Sequence, residues 1–404
     1  MAATAAQQRP LGIDVLTAAR QRIAWVFDNI PRIYVSFSAG KDSTVMLHLV
    51  MDEARRRGRT VGVLLVDLEA QYTQTIEHAL RLVDEYRANI DLYWVALPIH
   101  LRNAVSQFEP QWVCWDPGRR EDWIREPPPC AITDPTHFPW YEHAMEFEEL
   151  VPAFGHWYSN GKLTACLVGI RTDESINRWR TIMAGRKQTL DGHNWTTWVG
   201  SHLYNAYPIY DWKTADIWRY HGKHPGKAYN PLYDRMHQAG MTIAQMRICQ
   251  PYGDDQRKGL WLYQVIEPQT WGRVVARVNG ANQGALYAQD QGNILGVGKV
   301  TKPDGHTWES FAHMLLASMP GQTKLHYENK VAVFLRWYEL RGYPNGIPDD
   351  GPLEKDHPSW KRICKSLLRN DYWMKGLSFT QHKTGAYSAY LKIMEKRRAA
   401  WKLI

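Results

Sequence analysis

No stretch of this chain approaches the roughly 18 uninterrupted apolar residues that cross a bilayer. The first ten residues, Met-Ala-Ala-Thr-Ala-Ala-Gln-Gln-Arg-Pro, lack the apolar core of a secretory signal. No membrane partner is expected, and a cytoplasmic setting is. Cysteine is also scarce. Cys114, Cys130, Cys166, Cys249 and Cys364 are odd in number and widely spaced, with no Cys-x-x-Cys pair. That pattern fits a reducing compartment and excludes a zinc or iron–sulfur site built on paired cysteines. Outside the C-terminal tail there is almost no net charge. Residues 355–404 hold twelve Lys and Arg against three Asp and Glu, a net of +9 in a chain of +8. Such a tail is either a solvated helix surface or a footprint for nucleic acid or another acidic partner.

Tryptophan, by contrast, is abundant at 19 residues. Many lie in irregular stretches, among them Trp112, Trp115, Trp123, Trp140, Trp157, Trp195 and Trp198. Aromatics on loops stack on bases or, more often, pin loops by burying large areas. The length of 404 residues allows two domains, or one large α/β domain with an added lobe.

Residues 33–43 read Ile-Tyr-Val-Ser-Phe-Ser-Ala-Gly-Lys-Asp-Ser. An apolar, β-branched run ends at Ser36, small residues follow, and Val45, Met46, Leu47, Leu49 and Val50 continue at helical spacing. That order predicts strand, tight loop and helix start. Ser38, Ala39 and Gly40 leave the backbone open, so their N–H groups and the helix N-terminus can face an anion together. Lys41 adds positive charge, and Ser43 and Thr44 add hydroxyls. The Walker pattern fails, because Val35 stands at its first Gly and Asp42 follows the Lys.

The flanking elements alternate. Residues 12–29 read as an amphipathic helix, and the helix after the loop stops at Gly58. Val61-Gly-Val-Leu-Leu-Val66 is a buried parallel strand ending at Asp67; Thr73–Tyr86 is a helix and Leu92–Leu97 a strand. This βαβαβ order predicts a doubly wound, mostly parallel α/β sheet with ligands at its carboxyl edge. Residues 102–160 break into Pro, Trp and charge and read as a Trp-pinned insertion over the site. A strand at 163–170 resumes the sheet, which runs to about 220. Beyond Gly226 the expectation is a second, mostly helical lobe with helices at 331–341, 360–370 and 385–399. The expected units are thus a nucleotide-binding domain over 1–225 and an extension over 226–404.

Strand 163–170 ends in Gly169-Ile-Arg-Thr-Asp-Glu-Ser175, followed by Ile-Asn-Arg178-Trp-Arg180. Gly169 lets a ligand approach the backbone, and Arg171 is a bidentate phosphate or sulfate donor at the same sheet edge. Glu174, Arg178 and Arg180 begin the next helix.

The Ser-Ala-Gly-Lys-Asp-Ser loop resembles the Ser-Gly-Gly-x-Asp-Ser loop of the N-type ATP pyrophosphatases. The Gly-x-Arg…Glu-Ser…Arg arrangement is similar to the phosphoadenosine phosphosulfate reductase branch. So are Pro208-Ile-Tyr-Asp-Trp212-Lys-Thr-Ala-Asp216-Ile-Trp218 and Asn230-Pro-Leu-Tyr233. The resemblance covers roughly residues 15–240. Arg247-Ile-Cys-Gln-Pro-Tyr-Gly253, with Gln256-Arg257-Lys-Gly-Leu260, resembles the long extension of a reductase-like subgroup that includes the immunoglobulin-binding regulator A proteins.

The resemblance implies a nucleotide-phosphate site at Ser36, Ser38, Ala39, Gly40, Lys41, Asp42 and Ser43, with Asp67 near the adenosine. Gly169, Arg171, Glu174 and Arg178 would face the phosphate or sulfonyl end. Lys41 and Arg171 are the expected catalytic cations, and Asp42 is the candidate carboxylate for Mg²⁺ brought with ATP. Trp212, Asp216 and Trp218 would hold the turn and helix after the last strand. The reductases carry a thiolate near the C-terminus beside Gly and His. Here the last cysteine, Cys364, lies in the helical setting Trp-Lys-Arg-Ile-Cys-Lys-Ser. No iron–sulfur cluster and no zinc are expected. Three functions stay open: ATP-dependent activation of an acceptor, sulfonucleotide reduction, and nucleotide sensing or nucleic-acid binding without turnover. A partner protein is open as well.

Overall fold

The computed structural model describes residues 12–377, apart from 107–108, 185–186, 244, 254–259, 261, 279–280, 282–301, 304, 318–320, 341, 352–356, 369–370 and 372–373. The helix expected over 385–399, and the basic residues from Lys392 to Lys402, lie outside the described residues.

In chain order the elements are α1 (Val15–Asn29), β1 (Arg32–Ser36), α2 (Lys41–Arg57), β2 (Val61–Val66), α3 (Thr73–Tyr86) and β3 (Ile90–Val95). A hairpin of β4 (Ile99–Arg102) and β5 (Gln111–Cys114) follows, then α4 (Phe147–Ser159), β6 (Thr164–Val168) and α5 (Ile176–Met183). The chain continues through β7 (Thr196–Gly200), β8 (Leu203–Ala206), α6 (Thr214–Lys223), α7 (Leu232–Gln238), α8 (Leu262–Ile266) and α9 (Pro268–Arg277). The last helices are α10 (Trp308–Ala317), α11 (Gly321–Glu339) and α12 (Trp360–Leu368).

The central sheet has six strands in the order β3-β2-β1-β6-β8-β7. All neighbours are parallel except β7, which runs antiparallel to β8 at the edge. The expected α/β architecture is therefore present. Its strands are apolar on both faces because both faces are covered. Ile33, Val35, Val63, Leu65, Ala165 and Leu167 pack with α1, α2 and α3, while the alternate residues Tyr34, Leu64 and Cys166 pack on the opposite side. Each such aliphatic side chain contributes roughly 1.5–3 kcal/mol on burial.

Two features add detail to the sequence reading. The stretch expected to be an insertion contains β5, which pairs with β4 at its start, and the 13-residue helix α4. Pro152 inside α4 hides that helix from a sequence reading. The Glu146 N–H instead donates to Glu149 Oε2 at 2.9 Å, capping the first turn. α4 lies so close to the sheet that a Cβ on Gly155 would meet Leu203 Cδ2 at 2.4 Å and Tyr34 Oη at 2.8 Å. Second, the packed core does not end near residue 225. Leu232, Tyr233, Met236, Leu260, Tyr263, Val274 and Ala281 share one buried cluster with Tyr34 and Leu64.

Residues 308–377 build a separate helical core around Phe311, Tyr327, Phe334 and Ile363. The helices expected at 331–341 and 360–370 correspond to the second half of α11 and to α12. Trp112, Trp115 and Trp195 are buried packing residues, whereas Trp198 is 43% exposed. Among the described residues no helix is long and apolar enough to cross a membrane.

Candidate functional site

The loop after β1 sits at the centre of the sheet's carboxyl edge. Ser36, half-buried, closes β1 between Leu64 and Val168. The Phe37 N–H then donates to Leu64 O at 2.8 Å. Ser38 is exposed, and Ala39 turns the chain at φ 56°, a left-handed conformation that costs an L-residue about 1–2 kcal/mol. Gly40 caps α2, and its carbonyl accepts the first helical bond from Thr44 N–H at 2.9 Å. Ser43 Oγ ties the turn together: it donates to Gly40 O at 3.1 Å, accepts from Ser38 N–H at 3.3 Å and lies 3.0 Å from Ser38 Oγ.

Close approach from β6 holds this turn. A Cβ on Gly169 would lie 2.9 Å from Asp42 O, Ser43 Cα and Ser43 N. Only glycine fits, because all three contacts are backbone or Cα atoms that cannot swing away. The sequence reading gave Gly169 to a ligand; the atoms it admits here are those of the loop.

Lys41, Asp42 and Arg171 come together. Arg171 is 1% exposed, and its Nε donates to Asp42 Oδ1 at 2.5 Å. Its Nη1 lies 3.4 Å from Trp212 O and 3.6 Å from the half-exposed Asp173. Lys41 Nζ meets Asp42 Oδ2 at 3.2 Å. Lys41 and Ser43 are 7% and 6% exposed, so they line a closed turn rather than a solvent-filled one. Two buried cations thus share one buried carboxylate at a helix N-terminus, which itself carries roughly half a positive charge. An anion restores that balance.

Glu174 organises the next turn. Its Oε2 accepts from Arg171 N–H at 3.3 Å and from Arg178 Nε at 3.0 Å, while Ser175 Oγ caps α5 through Arg178 N–H at 3.2 Å. Arg247 Nη2 reaches the Glu174 carbonyl at 3.4 Å, bringing a residue from beyond the expected boundary to this edge.

Asp67 directly follows the neighbouring strand β2. It is fully buried, accepts from Trp94 Nε1 at 2.8 Å and Glu69 N–H at 3.0 Å, and pairs with Arg125. Both carboxylate oxygens are therefore already engaged. Beside it Glu69, also fully buried, takes Arg277 Nε at 2.6 Å and Nη2 at 3.0 Å.

Trp212 Nε1 donates to Val15 O at 3.0 Å, and Asp216 Oδ2 accepts from Lys213 N–H at 2.9 Å at the start of α6. Trp218 packs edge-on against Tyr233 at 5.4 Å. The sequence reading quoted Asn230-Pro-Leu-Tyr233 without giving it a role. Here Asn230 Nδ2 donates to Ala39 O and Thr75 Oγ1, both at 3.1 Å, and Lys41 N–H donates to Tyr233 Oη at 2.9 Å. Its signal was the turn chemistry of Asn-Pro two residues ahead of an aromatic.

His48 of α2, His78 of α3 and His221 of α6 are all buried. His48 bonds Tyr86 Oη at 2.6 Å and Ala228 O at 2.7 Å, and His78 Nε2 lies 3.1 Å from Thr44 Oγ1. Burial lowers these rings to about 4, about 3 and about 4, so they are neutral at pH 7.

A parallel sheet whose central strand ends in a small-residue loop at a helix N-terminus, with cations buried beside it, defines an α/β fold of the PP-loop, nucleotide-binding class. The chain belongs to the phosphoadenosine phosphosulfate reductase domain family, which matches residues 32–244; residues 240–345 match a domain of unknown function, DUF3440. It is 44% identical over 399 residues to the uncharacterized protein YbdN of Escherichia coli K12, covering 98% of each chain. It is 30% identical over 104 residues to the phosphoadenosine 5'-phosphosulfate reductase of Alteromonas mediterranea, covering 22% of this chain and 40% of that protein. Among solved structures it is similar to a phosphate complex of the phosphoadenylyl-sulfate reductase of Candida auris. There the TM-score is 0.30 and the identity 12%, over 58% of this chain and 89% of that one.

Proposed function

We propose that the protein is an ATP-dependent activating enzyme that holds the β- and γ-phosphates of Mg²⁺-ATP in the 38–43 loop. The observation that carries this reading is the pair of buried cations, Lys41 and Arg171, sharing the single buried carboxylate of Asp42. An acceptor oxygen attacks the α-phosphorus, the bond to the bridging oxygen breaks, and pyrophosphate leaves. Such a step needs positioning and charge neutralisation more than a dedicated base. Lys41 and Arg171 supply the neutralisation, and Asp42 fixes where both cations point.

Mg²⁺ enters with the nucleotide as part of the substrate. Both Asp42 oxygens hold cations of the chain, and among the described residues no group of three or more His, Cys, Asp or Glu could cage a metal. Phosphate oxygens therefore supply most of its ligands. Arg178 and Arg247, both held by Glu174, are the cations this reading assigns to an anionic acceptor. The +9 of residues 355–404 favours nucleic acid as one acceptor or partner, testable by the salt slope of binding.

The deciding experiment incubates the full chain with Mg²⁺ and α-labelled ATP, with and without sulfate or RNA, and follows labelled AMP, an adenylylated product and pyrophosphate. Lys41→Ala should abolish product and weaken ATP binding about tenfold or more, since a charge-assisted bond contributes roughly 1.5–3 kcal/mol. Binding without pyrophosphate release would make the protein a nucleotide-binding regulator. Family membership also favours a sulfonucleotide in the same loop. Sulfite release dependent on Cys130 or Cys249, which are not fully buried, would establish reduction instead.

A further inference from the structure

The phenol of Tyr233 occupies a place the sequence reading left without a role. It comes from α7, 192 residues beyond Lys41, and it is 3% exposed. Its hydroxyl oxygen accepts the Lys41 N–H at 2.9 Å, one of the helix-start donors that would face an anion. The same oxygen lies 3.6 Å from where a Gly40 Cβ would stand, and Ser38 Oγ lies 3.5 Å from that point. The two hydroxyls therefore flank Gly40 at the mouth of the turn. Lys41 Nζ is 5.6 Å from the centre of the Tyr233 ring.

The ring is held from several sides. Asn230, fully buried, clasps Ala39 O and Thr75 Oγ1 and accepts the Leu232 N–H at 2.9 Å, fixing the start of α7 against the loop. Trp218 packs on the ring edge at an interplanar angle of 83°. Among the described residues the hydroxyl accepts one hydrogen bond and gives its own proton to no acceptor. Burial raises the phenol well above its ordinary value and so keeps that proton in place at neutral pH. A buried hydroxyl with a proton to give, set rigidly among phosphate-facing donors, is a built ligand contact.

We propose that Tyr233 is a phosphate-binding residue: its hydroxyl donates to a nucleotide phosphate oxygen seated in the 38–43 loop. The proposal rests on nucleotide occupancy of that loop. It also makes the loop a composite site, completed by a segment from well beyond the strand that precedes it.

Calorimetric titration of the full chain with Mg²⁺-ATP, pyrophosphate and adenosine tests it. Tyr233→Phe should weaken ATP and pyrophosphate about tenfold, one hydrogen bond to a charged oxygen, and leave adenosine affinity unchanged, with only the modest fall in melting temperature expected from the unpaired Lys41 N–H. A variant that folds and binds pyrophosphate as tightly as wild type overturns the Tyr233 proposal alone. A wild-type chain that binds neither ATP nor pyrophosphate overturns the nucleotide reading and this proposal with it. If the variant does not fold, 3-fluorotyrosine placed at position 233 of the otherwise wild-type chain reports directly. Its ¹⁹F signal should shift on adding pyrophosphate and stay put with adenosine; a signal indifferent to pyrophosphate overturns the proposal.

Discussion

Replacing Arg277 by Met removes one partner of a fully buried ion pair and asks whether the extension belongs to the nucleotide domain. Glu69 has four donors: Arg277 Nε at 2.6 Å, Arg277 Nη2 at 3.0 Å, Trp115 N–H at 2.7 Å and Ile124 N–H at 3.3 Å. Arg277 also donates to Val113 O at 2.8 Å. Breaking a buried pair from one side costs about 3–5 kcal/mol, because the remaining charge stays in a low dielectric. The two backbone donors left to Glu69 favour the lower end of that range. For a unit of this size, about 2–4 °C per kcal/mol makes the fall in melting temperature roughly 6–20 °C. Thermal unfolding followed by near-ultraviolet circular dichroism, which reports the buried Trp115, is the assay. Adding Glu69→Gln to Arg277→Met should recover at least about 1 kcal/mol, since the stranded charge is then gone. A loss below about 1 kcal/mol in the single variant, or strict additivity in the double, refutes the reasoning. So does a chain cut after Gly226 that folds cooperatively.

Three further outcomes follow from the geometry. Gly169→Ala puts a methyl 2.9 Å from Asp42 O and the Ser43 backbone, so the loop must shift; stability should fall by about 1–3 kcal/mol and pyrophosphate affinity with it, read by urea unfolding and calorimetry. His48, His78 and His221 are lowered by burial from 6.5, so the unfolded chain takes up their protons first as pH falls. Their contribution is whole above about pH 6.5 and drains away toward pH 4; the urea midpoint should drop steeply across that window, by several kcal/mol in order of magnitude, and His78→Gln should flatten the drop. Cys364 is buried, donates from Sγ to Trp308 O at 3.0 Å, and is pushed up to about 12 by burial. Its replacement by Ala should cost stability and leave nucleotide turnover intact, and iodoacetamide should label the exposed Cys130 ahead of it in the native protein.

Local pattern carried the sequence reading wherever a segment answered to its own neighbours. Thr73–Tyr86 was legible to the residue because its apolar face repeats at helical spacing, and Val61–Val66 because an unbroken apolar run means two covered faces. The strand–loop–helix at Ser36–Ser43 declared itself through small residues between two apolar periodicities. α4 was lost because Pro152 and a crowd of aromatics imitate a loop. His224, Pro225 and Gly226 punctuate the chain as a linker would, while burial continues past them. Partner choice was illegible. Nothing local says that Glu69 meets Arg277, that Asp42 is spoken for by Arg171, or that Tyr233 reaches Lys41, since each pairing is set by packing across more than a hundred residues.

The long separation between Glu69 and Arg277 also bears on how the protein is made. β1 lies between β2, which directly follows it, and β6, so Ser36 lacks its Val168 neighbour until the ribosome has extended the chain well past the first three strands. Arg277 arrives 208 residues after Glu69, a delay of about 10–40 s at 5–20 residues per second. Until β6 emerges the nascent chain displays an open central strand edge, and until Arg277 emerges a buried-to-be carboxylate without this counter-ion. The phosphate loop, one of the first elements to emerge, is therefore among the last to be finished. Ribosome-bound fragments ending before residue 277 should remain protease-sensitive clients of chaperones, and the release of a resistant core should coincide with the emergence of α9.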